Sequence, residues 1–126
     1  MRRMILAAIF CFTPLIGLAD AGDVRIVEMW QCELKEGQKM EDVKANNTKW
    51  LALTRKEAAS DDVRSYALST VVGDLTKFVF VDTFPDMAAW SAAKSAAESD
   101  EGKAIEAAFE NLMECTKNRL FESTEH

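Results

Sequence analysis

The sequence has little of several residues on which common catalytic sites depend. Its single histidine is the last residue, His126, and its five glycines are scattered along the chain. Without an internal histidine, serine and cysteine nucleophiles lack their usual base, and a zinc or iron site lacks its usual ligands. Scattered glycines do not form a phosphate-binding loop. We therefore expect no bound metal and no cofactor, and no motif in the chain names a reaction.

The N-terminal segment is typical of a secretory signal peptide. Two arginines precede an apolar run, and the run ends at a small-residue motif in residues 19–21. Pro14 and Gly17 interrupt the apolar run, which is shorter than the roughly 20 residues that a membrane-spanning helix needs. We expect cleavage after Ala21, a mature chain that begins at Gly22, and a periplasmic or secreted protein that is not attached to a membrane.

Cysteine is scarce, and cleavage would remove one of the three, Cys11. The two that stay, Cys32 and Cys115, predict one disulfide in an oxidising compartment. Cleavage would also remove two arginines and one aspartate from a chain whose net charge is already −6. A mature domain this acidic disfavours nucleic acid and anionic membranes as partners.

Hydrophobic periodicity divides the mature chain into one domain, residues 22–121, and a polar C-terminal tail, residues 122–126. The predicted elements are a strand at 24–34, a helix at 40–59, strands at 64–72 and 77–84, a helical region at 87–115 broken near 99–102, and a strand at 117–121. This βαββαβ order predicts a ferredoxin-like α+β fold, in which a four-stranded antiparallel sheet carries its helices on one face.

Alternation along the first and third strands collects large aromatic side chains on one face of the predicted sheet. Trp30, Phe78, Phe80 and Phe84 share that face. We expect the face to point away from the helices, because the other side chains of these strands are also apolar enough to pack on helices. An apolar face of this size is rarely left in water, so we expect a second copy of the chain to cover it and form a homodimer.

Two carboxylates, Glu28 and Asp82, lie on the same predicted faces as the aromatic residues. Desolvation among aromatic rings would raise the pKa of either group and make it a candidate general acid or base. The alternative is that both lie at the rim of the site, solvated or paired with Arg64 or Arg119. We expect Asn47, on the first helix, to bond to a neighbouring backbone or strand group.

Two segments resemble the dimeric α/β-barrel superfamily, and within it the antibiotic-biosynthesis-monooxygenase-like branch. They are the first strand running into residues 34–37, and the third strand running through residues 82–86 into a helix with Trp90. The resemblance covers about residues 24–121. It implies that two sheets pair into a barrel whose lumen, in the enzymes of this group, holds an aromatic substrate or haem.

Three positions depart from the pattern of the haem-degrading members. Trp30 stands where those members use an asparagine, Phe84 stands where they use a tryptophan, and residues 102–106 contain no histidine to bind haem iron. These departures argue against haem degradation. They leave cofactor-independent oxygenation of quinol-like substrates, in which the substrate supplies the electrons and the protein orients and desolvates it.

The predicted ligand site therefore consists of Trp30, Tyr66, Phe80, Asp82 and Phe84, with aromatic walls and few polar groups, as small-molecule sites have. The sparse acid–base groups favour an exported binding protein for a small aromatic ligand, without turnover. A cofactor-independent oxygenase that acts on an aromatic compound is the alternative, and a purely structural dimer with a filled lumen is the third. Trp50 and Trp90 lie on helix stripes and are predicted to be core residues.

Overall fold

The computed structural model describes residues 24–125, so the predicted signal peptide and its cleavage site lie outside the described residues. The elements in chain order are β1 (Val24–Leu34), α1 (Met40–Ala58), β2 (Arg64–Ser69), β3 (Lys77–Phe84), α2 (Met87–Ala97), α3 (Asp100–Leu112) and β4 (Met113–Thr124). The four strands form one antiparallel sheet in the order β2-β3-β1-β4. The predicted ferredoxin-like α+β fold is confirmed. None of the helices in this part of the chain is long and apolar enough to cross a membrane.

The predicted break in the second helical region separates α2 from α3. The Ser99 hydroxyl begins α3 by accepting a hydrogen bond of 3.0 Å from the backbone N–H of Gly102. Gly102 also lies against α2, because a Cβ atom at this position would be 2.1 Å from the carbonyl oxygen of Ala96. Only glycine therefore permits this close approach of the two helices.

The last strand is longer than predicted. The predicted end of the preceding helix, at Cys115, is wrong. β4 pairs with β1 from Met113 to Thr124, so Cys115 lies on the strand and not on the preceding helix, and residues 122–124 of the predicted tail belong to the sheet. The reason is that backbone pairing with the full length of β1 extends the strand through polar residues. β2 is shorter than predicted and ends at Ser69, which leaves residues 70–76 as the hairpin loop.

The prediction of which sheet face is uncovered is wrong. Phe78, Phe80 and Phe84 are buried against the helices, where Phe84 packs on Ala89 and Ala93 of α2. Alanines on the helix surface leave room for the large phenylalanine rings, which bury the most apolar area of any side chains in this core. The face with Trp30 and Phe80 is therefore the core face of the sheet.

The opposite face of the sheet carries the other set of alternating residues and has no helix on it. Register pairs identify its members, because Met29 pairs with Val81 and Val81 pairs with Tyr66. Its apolar residues, all partly or fully exposed, are Val27, Met29, Tyr66, Leu68, Val79, Val81 and Phe121. We call this set the open sheet face.

The predicted disulfide is present in the structure and joins the central strand β1 to the edge strand β4. Cys32 on β1 and Cys115 on β4 are register partners and are bonded across the strand pair. The register of β1 with β4 shifts between Gln31 and Cys32, so the bond lies directly beside an irregularity in the ladder. The covalent link fixes the pairing of the strands at the point where hydrogen bonding alone fixes it least.

Removing this disulfide should destabilise the fold substantially, because its two cysteines are 83 residues apart in sequence. In the chain-entropy model a loop of this length corresponds to about 4 kcal/mol of stability. We expect the double variant Cys32→Ala/Cys115→Ala to lower the free energy of unfolding, measured in urea by circular dichroism, by a few kcal/mol. Reductant should lower wild-type stability similarly and leave the double variant unchanged; equal stability of the oxidised protein and the variant would contradict this.

Candidate functional site

An open cavity of about 390 Å³ lies between the sheet and the three helices. Its aromatic walls come from four elements: Trp30 of β1, Phe80 of β3, Trp50 of α1 and Phe109 of α3. The Phe80 and Phe109 rings meet edge to face, with centroids 6.0 Å apart, which fixes the inner end of the wall. A cavity of this volume and aromatic lining matches what small-molecule sites require.

Asp82 is the polar group at the base of this cavity. It lies on the core face of β3 between Phe80 and Phe84, and only 8% of the residue is exposed. Its Oδ1 atom is buried and has no hydrogen-bond partner among the described residues. Buried carboxylate oxygens are almost always paired, so the unpaired Oδ1 atom of a residue that lines a cavity is a candidate acceptor for a ligand.

Burial raises the pKa of Asp82 from 3.8 to about 6. The loss of water around the carboxylate is the largest cause, and the negative charge of Glu28 raises the pKa further. A hydrogen bond with Ser65 and the positive charge of Lys94 act in the opposite direction. Asp82 is therefore ionised at neutral pH but titrates close to it, which suits proton exchange with a bound molecule.

Glu28 lies directly opposite Asp82 on the neighbouring strand and is also buried, yet its situation is different. Its Oε1 accepts a hydrogen bond of 2.7 Å from Asn118 of β4, and its Oε2 accepts one of 3.2 Å from the indole N–H of Trp90. Lys94 of α2 approaches Oε2 at 2.5 Å and forms an ion pair. Glu28 is thus a fully paired carboxylate, and we assign it a structural role beside the cavity.

Lys94 lies at the junction of the charged and aromatic parts of the site. Its ammonium group lies 5.6 Å from the centre of the Trp30 ring and 5.7 Å from that of the Trp90 ring. Both distances allow cation–π attraction. The lysine therefore orients two indole rings and neutralises Glu28, and it also lines the cavity.

A second polar chain reaches the cavity from α1. The amide N–H of Asn47 donates a hydrogen bond of 2.8 Å to the Ser65 hydroxyl, and Ser65 is the register partner of Asp82. The prediction that Asn47 bonds to a strand group is confirmed, and Asn47 in addition lines the cavity. Ser65 is thereby oriented beside Asp82.

The structure brings together three of the five predicted ligand-site residues, which are Trp30, Phe80 and Asp82. Phe84 is only 2% exposed and belongs to the core with Ala89 and Ala93, because α2 covers the end of β3. Tyr66 lies on the open sheet face. The cavity described here lies within one chain, between the sheet and the helices, and the lumen between two sheets stays a prediction.

The alternative that Glu28 and Asp82 lie at a rim, solvated or paired with Arg64 or Arg119, is wrong, because both carboxylates are buried. Arg64 binds Asp62 at 2.9 Å, and Arg119 pairs in register with Met29, so both arginines belong to the open sheet face. Side chains alternate between the two faces along a strand, so Arg64 and Arg119 lie on the face opposite to Glu28 and Asp82 and cannot pair with them.

Lys94, Asn118 and Trp50 are site residues that the sequence analysis missed. Lys94 had a local signal, because it lies one helical turn after Trp90 and is the only charged residue of α2. Trp50 lies on the predicted apolar stripe and lines the cavity in addition to packing beside Leu53 and Ile105. Asn118 had no local signal, since its partner Glu28 is 90 residues away.

Other parts of the described chain have fewer features of a ligand site. A cavity of about 380 Å³ between α1 and α3 has Asn46, Lys49 and Glu101 in its lining, but no aromatic wall. Asn46 is already paired there, because its amide N–H donates to the Ile105 carbonyl at 2.9 Å. Among residues 24–125, no group of three or more His, Cys, Asp or Glu side chains is arranged to hold a metal ion.

Replacing Asp82 by asparagine should stabilise the folded protein at neutral and alkaline pH. The folded state binds the Asp82 proton more tightly than the unfolded state, so ionisation costs stability as the pH rises from about 4 to about 6 and the cost then stays constant. A shift from 3.8 to about 6 corresponds to roughly 3 kcal/mol at most.

We therefore expect Asp82→Asn to unfold at a higher temperature than wild type near pH 8, and this advantage to disappear as the pH falls towards 4. The exposed Asp61 offers a matched control, since Asp61→Asn should not change the pH dependence. A lower melting temperature of Asp82→Asn at every pH would show instead that Asp82 has a structural partner.

Comparison with known proteins identifies solved structures that share this fold. No family model and no curated protein matches the sequence. Among solved structures, the chain is similar to SnoaB, a cofactor-independent oxygenase from Streptomyces nogalater, with a TM-score of 0.61 and 12% identity over 81% of this chain and 95% of that one.

Two further structures have comparable similarity. A NIPSNAP family protein from Agrobacterium tumefaciens has a TM-score of 0.60 and 18% identity over 80% of this chain and 87% of its own. An uncharacterised NIPSNAP domain protein from Burkholderia xenovorans has a TM-score of 0.56 and 16% identity over 80% and 94%. At these identities the likeness concerns the fold alone, and it agrees with the fold that the sequence predicts, since this chain shares the α+β fold of a monooxygenase-like protein and of NIPSNAP proteins.

Proposed function

We propose that this protein is an exported binding protein for a small aromatic molecule that carries a hydrogen-bond donor. The single observation that carries the proposal is the unpaired, buried Oδ1 atom of Asp82 at the base of an aromatic cavity. A carboxylate in this position costs the fold stability, and such costs are typical of functional sites. The Cys32–Cys115 disulfide supports export, because structural disulfides persist in oxidising compartments.

In the proposed complex the aromatic ring of the ligand lies against Trp30, Trp50 and Phe80, and its donor group binds Asp82. The ring replaces water along the apolar wall, and the donor gives Asp82 the hydrogen bond that the protein itself does not supply. Asn47 and Ser65 hold the carboxylate from behind through their hydrogen bond. The cavity would therefore favour an aromatic compound with a donor over the same ring without one.

Titration with 2-naphthol and with naphthalene, followed by tryptophan fluorescence, tests this proposal. We expect 2-naphthol to bind more tightly than naphthalene, and Asp82→Asn to weaken 2-naphthol binding by at least about tenfold, or about 1.4 kcal/mol. Asp61→Asn should bind as wild type does. Equal binding of 2-naphthol by folded wild type and Asp82→Asn would remove Asp82 from the site, and no binding of either compound would reject the proposal.

Cofactor-independent oxygenation is the second candidate, and the titration of Asp82 close to neutral pH favours it. In this reaction Asp82 takes the hydroxyl proton of a bound quinol-like substrate, and the resulting electron-rich anion reacts with dioxygen at a ring carbon that carries a hydrogen. That C–H group becomes C=O, one oxygen atom enters the product, and the other leaves as water with the hydroxyl hydrogen and the ring hydrogen. The substrate supplies all the electrons. The fold similarity to SnoaB, a cofactor-independent oxygenase, adds support.

An oxygen electrode separates the two candidates. The oxygenase requires one dioxygen consumed for each quinol-like substrate molecule oxidised, at a rate that falls when Asp82 is replaced by asparagine. Binding without oxygen uptake above the uncatalysed rate would leave the binding protein as the function.

We also propose that the protein forms a homodimer through the open sheet face. Tyr66, Leu68 and Phe121 are 47%, 52% and 42% exposed on that face, and Val81 lies near its centre. A contiguous apolar sheet surface of this kind favours a partner, and the related fold takes its name from paired sheets. The face differs from the one expected from sequence, but the physical reason for the dimer is the same.

Light scattering should therefore give twice the mass of the mature chain. A lysine at the centre of the face, Val81→Lys, should produce a monomer because burying its charge in the interface is costly. Ala107→Lys, on the exposed side of α3, is the matched control and should stay dimeric. A wild-type protein that is a soluble monomer at micromolar concentration would refute the dimer.

A further inference from the structure

The charges around the cavity are unequal. Three of its lining side chains carry carboxylates, namely Asp82 at the base and Glu106 and Glu110 on the exposed side of α3. Lys94 is the only basic residue in the lining of this cavity within the described chain. Since opposite charges attract most strongly where water is excluded, this excess of negative charge in the lining affects which ligands enter the cavity.

The positive charge of Lys94 is already neutralised. Its ammonium group lies 2.5 Å from Oε2 of Glu28, whose side chain is buried. Of these two charges, that of Glu28 has the larger effect on Asp82, because Glu28 raises the pKa of Asp82 more than Lys94 lowers it. At the base of the cavity the Glu28–Lys94 pair therefore acts as a weak negative charge and does not repel a cation.

The aromatic lining is suited to a cation as well. Trp30 lines the cavity and already has one ammonium group, that of Lys94, at 5.6 Å from its ring centre. Tryptophan is the side chain that attracts cations most strongly through its ring, and Trp50, Phe80 and Phe109 complete the wall. Groups of aromatic rings are one arrangement by which proteins bind organic ammonium groups, and here a buried carboxylate lies beside them.

Building on the proposed binding function, we infer that the donor group of the ligand is a protonated amine, so that the cavity selects small aromatic amines over neutral or anionic aromatic compounds of the same size. The ammonium group binds the unpaired Oδ1 atom of Asp82 and provides the countercharge that the chain lacks at this point. Glu106 and Glu110, one turn apart at the mouth, attract the cation during entry.

Three probes of matched size test the inference by calorimetry or tryptophan fluorescence at about pH 7.5: 2-phenylethylamine, 2-phenylethanol and 3-phenylpropanoate. We expect the dissociation constant of the amine to be at least about tenfold lower than those of the alcohol and the carboxylate. Asp82→Asn should reduce this preference to about threefold or less, while Asp61→Asn should keep it. Circular dichroism confirms that each variant is folded.

The outcomes separate the inference from the proposal on which it rests. If the alcohol binds as tightly as the amine and Asp82→Asn weakens it, the cavity binds aromatic donors without charge selection, and only the inference fails. Tightest binding of the carboxylate would also overturn it. If none of the three probes binds, and 2-naphthol does not bind either, the proposed function fails and the inference fails with it.

Discussion

The buried carboxylate of Glu28 is the interaction on which the arrangement of this protein depends. Its donors come from two elements, Trp90 and Lys94 on α2 and Asn118 on β4, so one side chain of the central strand connects the helical layer to an edge strand. A buried charge is tolerated only when it is paired and hydrogen-bonded. Loss of Lys94 would leave the charge of Glu28 uncompensated beside the cavity, and loss of Asn118 would leave its Oε1 atom without this hydrogen bond.

Through the same contacts Glu28 determines the chemistry of the residue opposite. It holds Lys94 close to itself, so that the lysine cannot also serve as the partner of Asp82. The negative charge of Glu28 adds to the effect of burial on the pKa of Asp82. Two carboxylates in register on neighbouring strands thus acquire different roles, because one receives all the donors and the other receives almost none.

The element order, the sheet topology and the disulfide could be predicted from sequence because each depends on a local pattern or on chain order. The orientation of the sheet could not. Alternation sorts β1 into two sets, but both sets contain large apolar residues, such as Trp30 in one and Met29 in the other. Which set faces the helices is decided by the fit to their surfaces, and the small side chains of Ala89 and Ala93 admit Phe84 there. That fit is a tertiary property.

Part of the candidate site could also be predicted from the sequence. Trp30, Phe80 and Asp82 share a face by alternation alone, so they stay together whichever way the sheet turns. Asp82 was noticeable as a carboxylate among phenylalanines, but the lack of a partner for its Oδ1 atom depends on where other side chains such as Lys94 lie in space. Trp50 comes from a helix and Asn118 from the far end of the chain, and no pattern within either segment relates them to β1.

The contact between α2 and α3 at Gly102 has a consequence for the shape of the cavity opening. Backbone meets backbone there, with the carbonyl oxygen of Ala96 in the place that a side chain would fill. The position of α3 against α2 is therefore set by atoms that have no alternative rotamers, and α3 carries Phe109 and Glu106 into the lining of the cavity. The backbone frame of the opening thus depends on a glycine that is not itself among the residues that line the cavity.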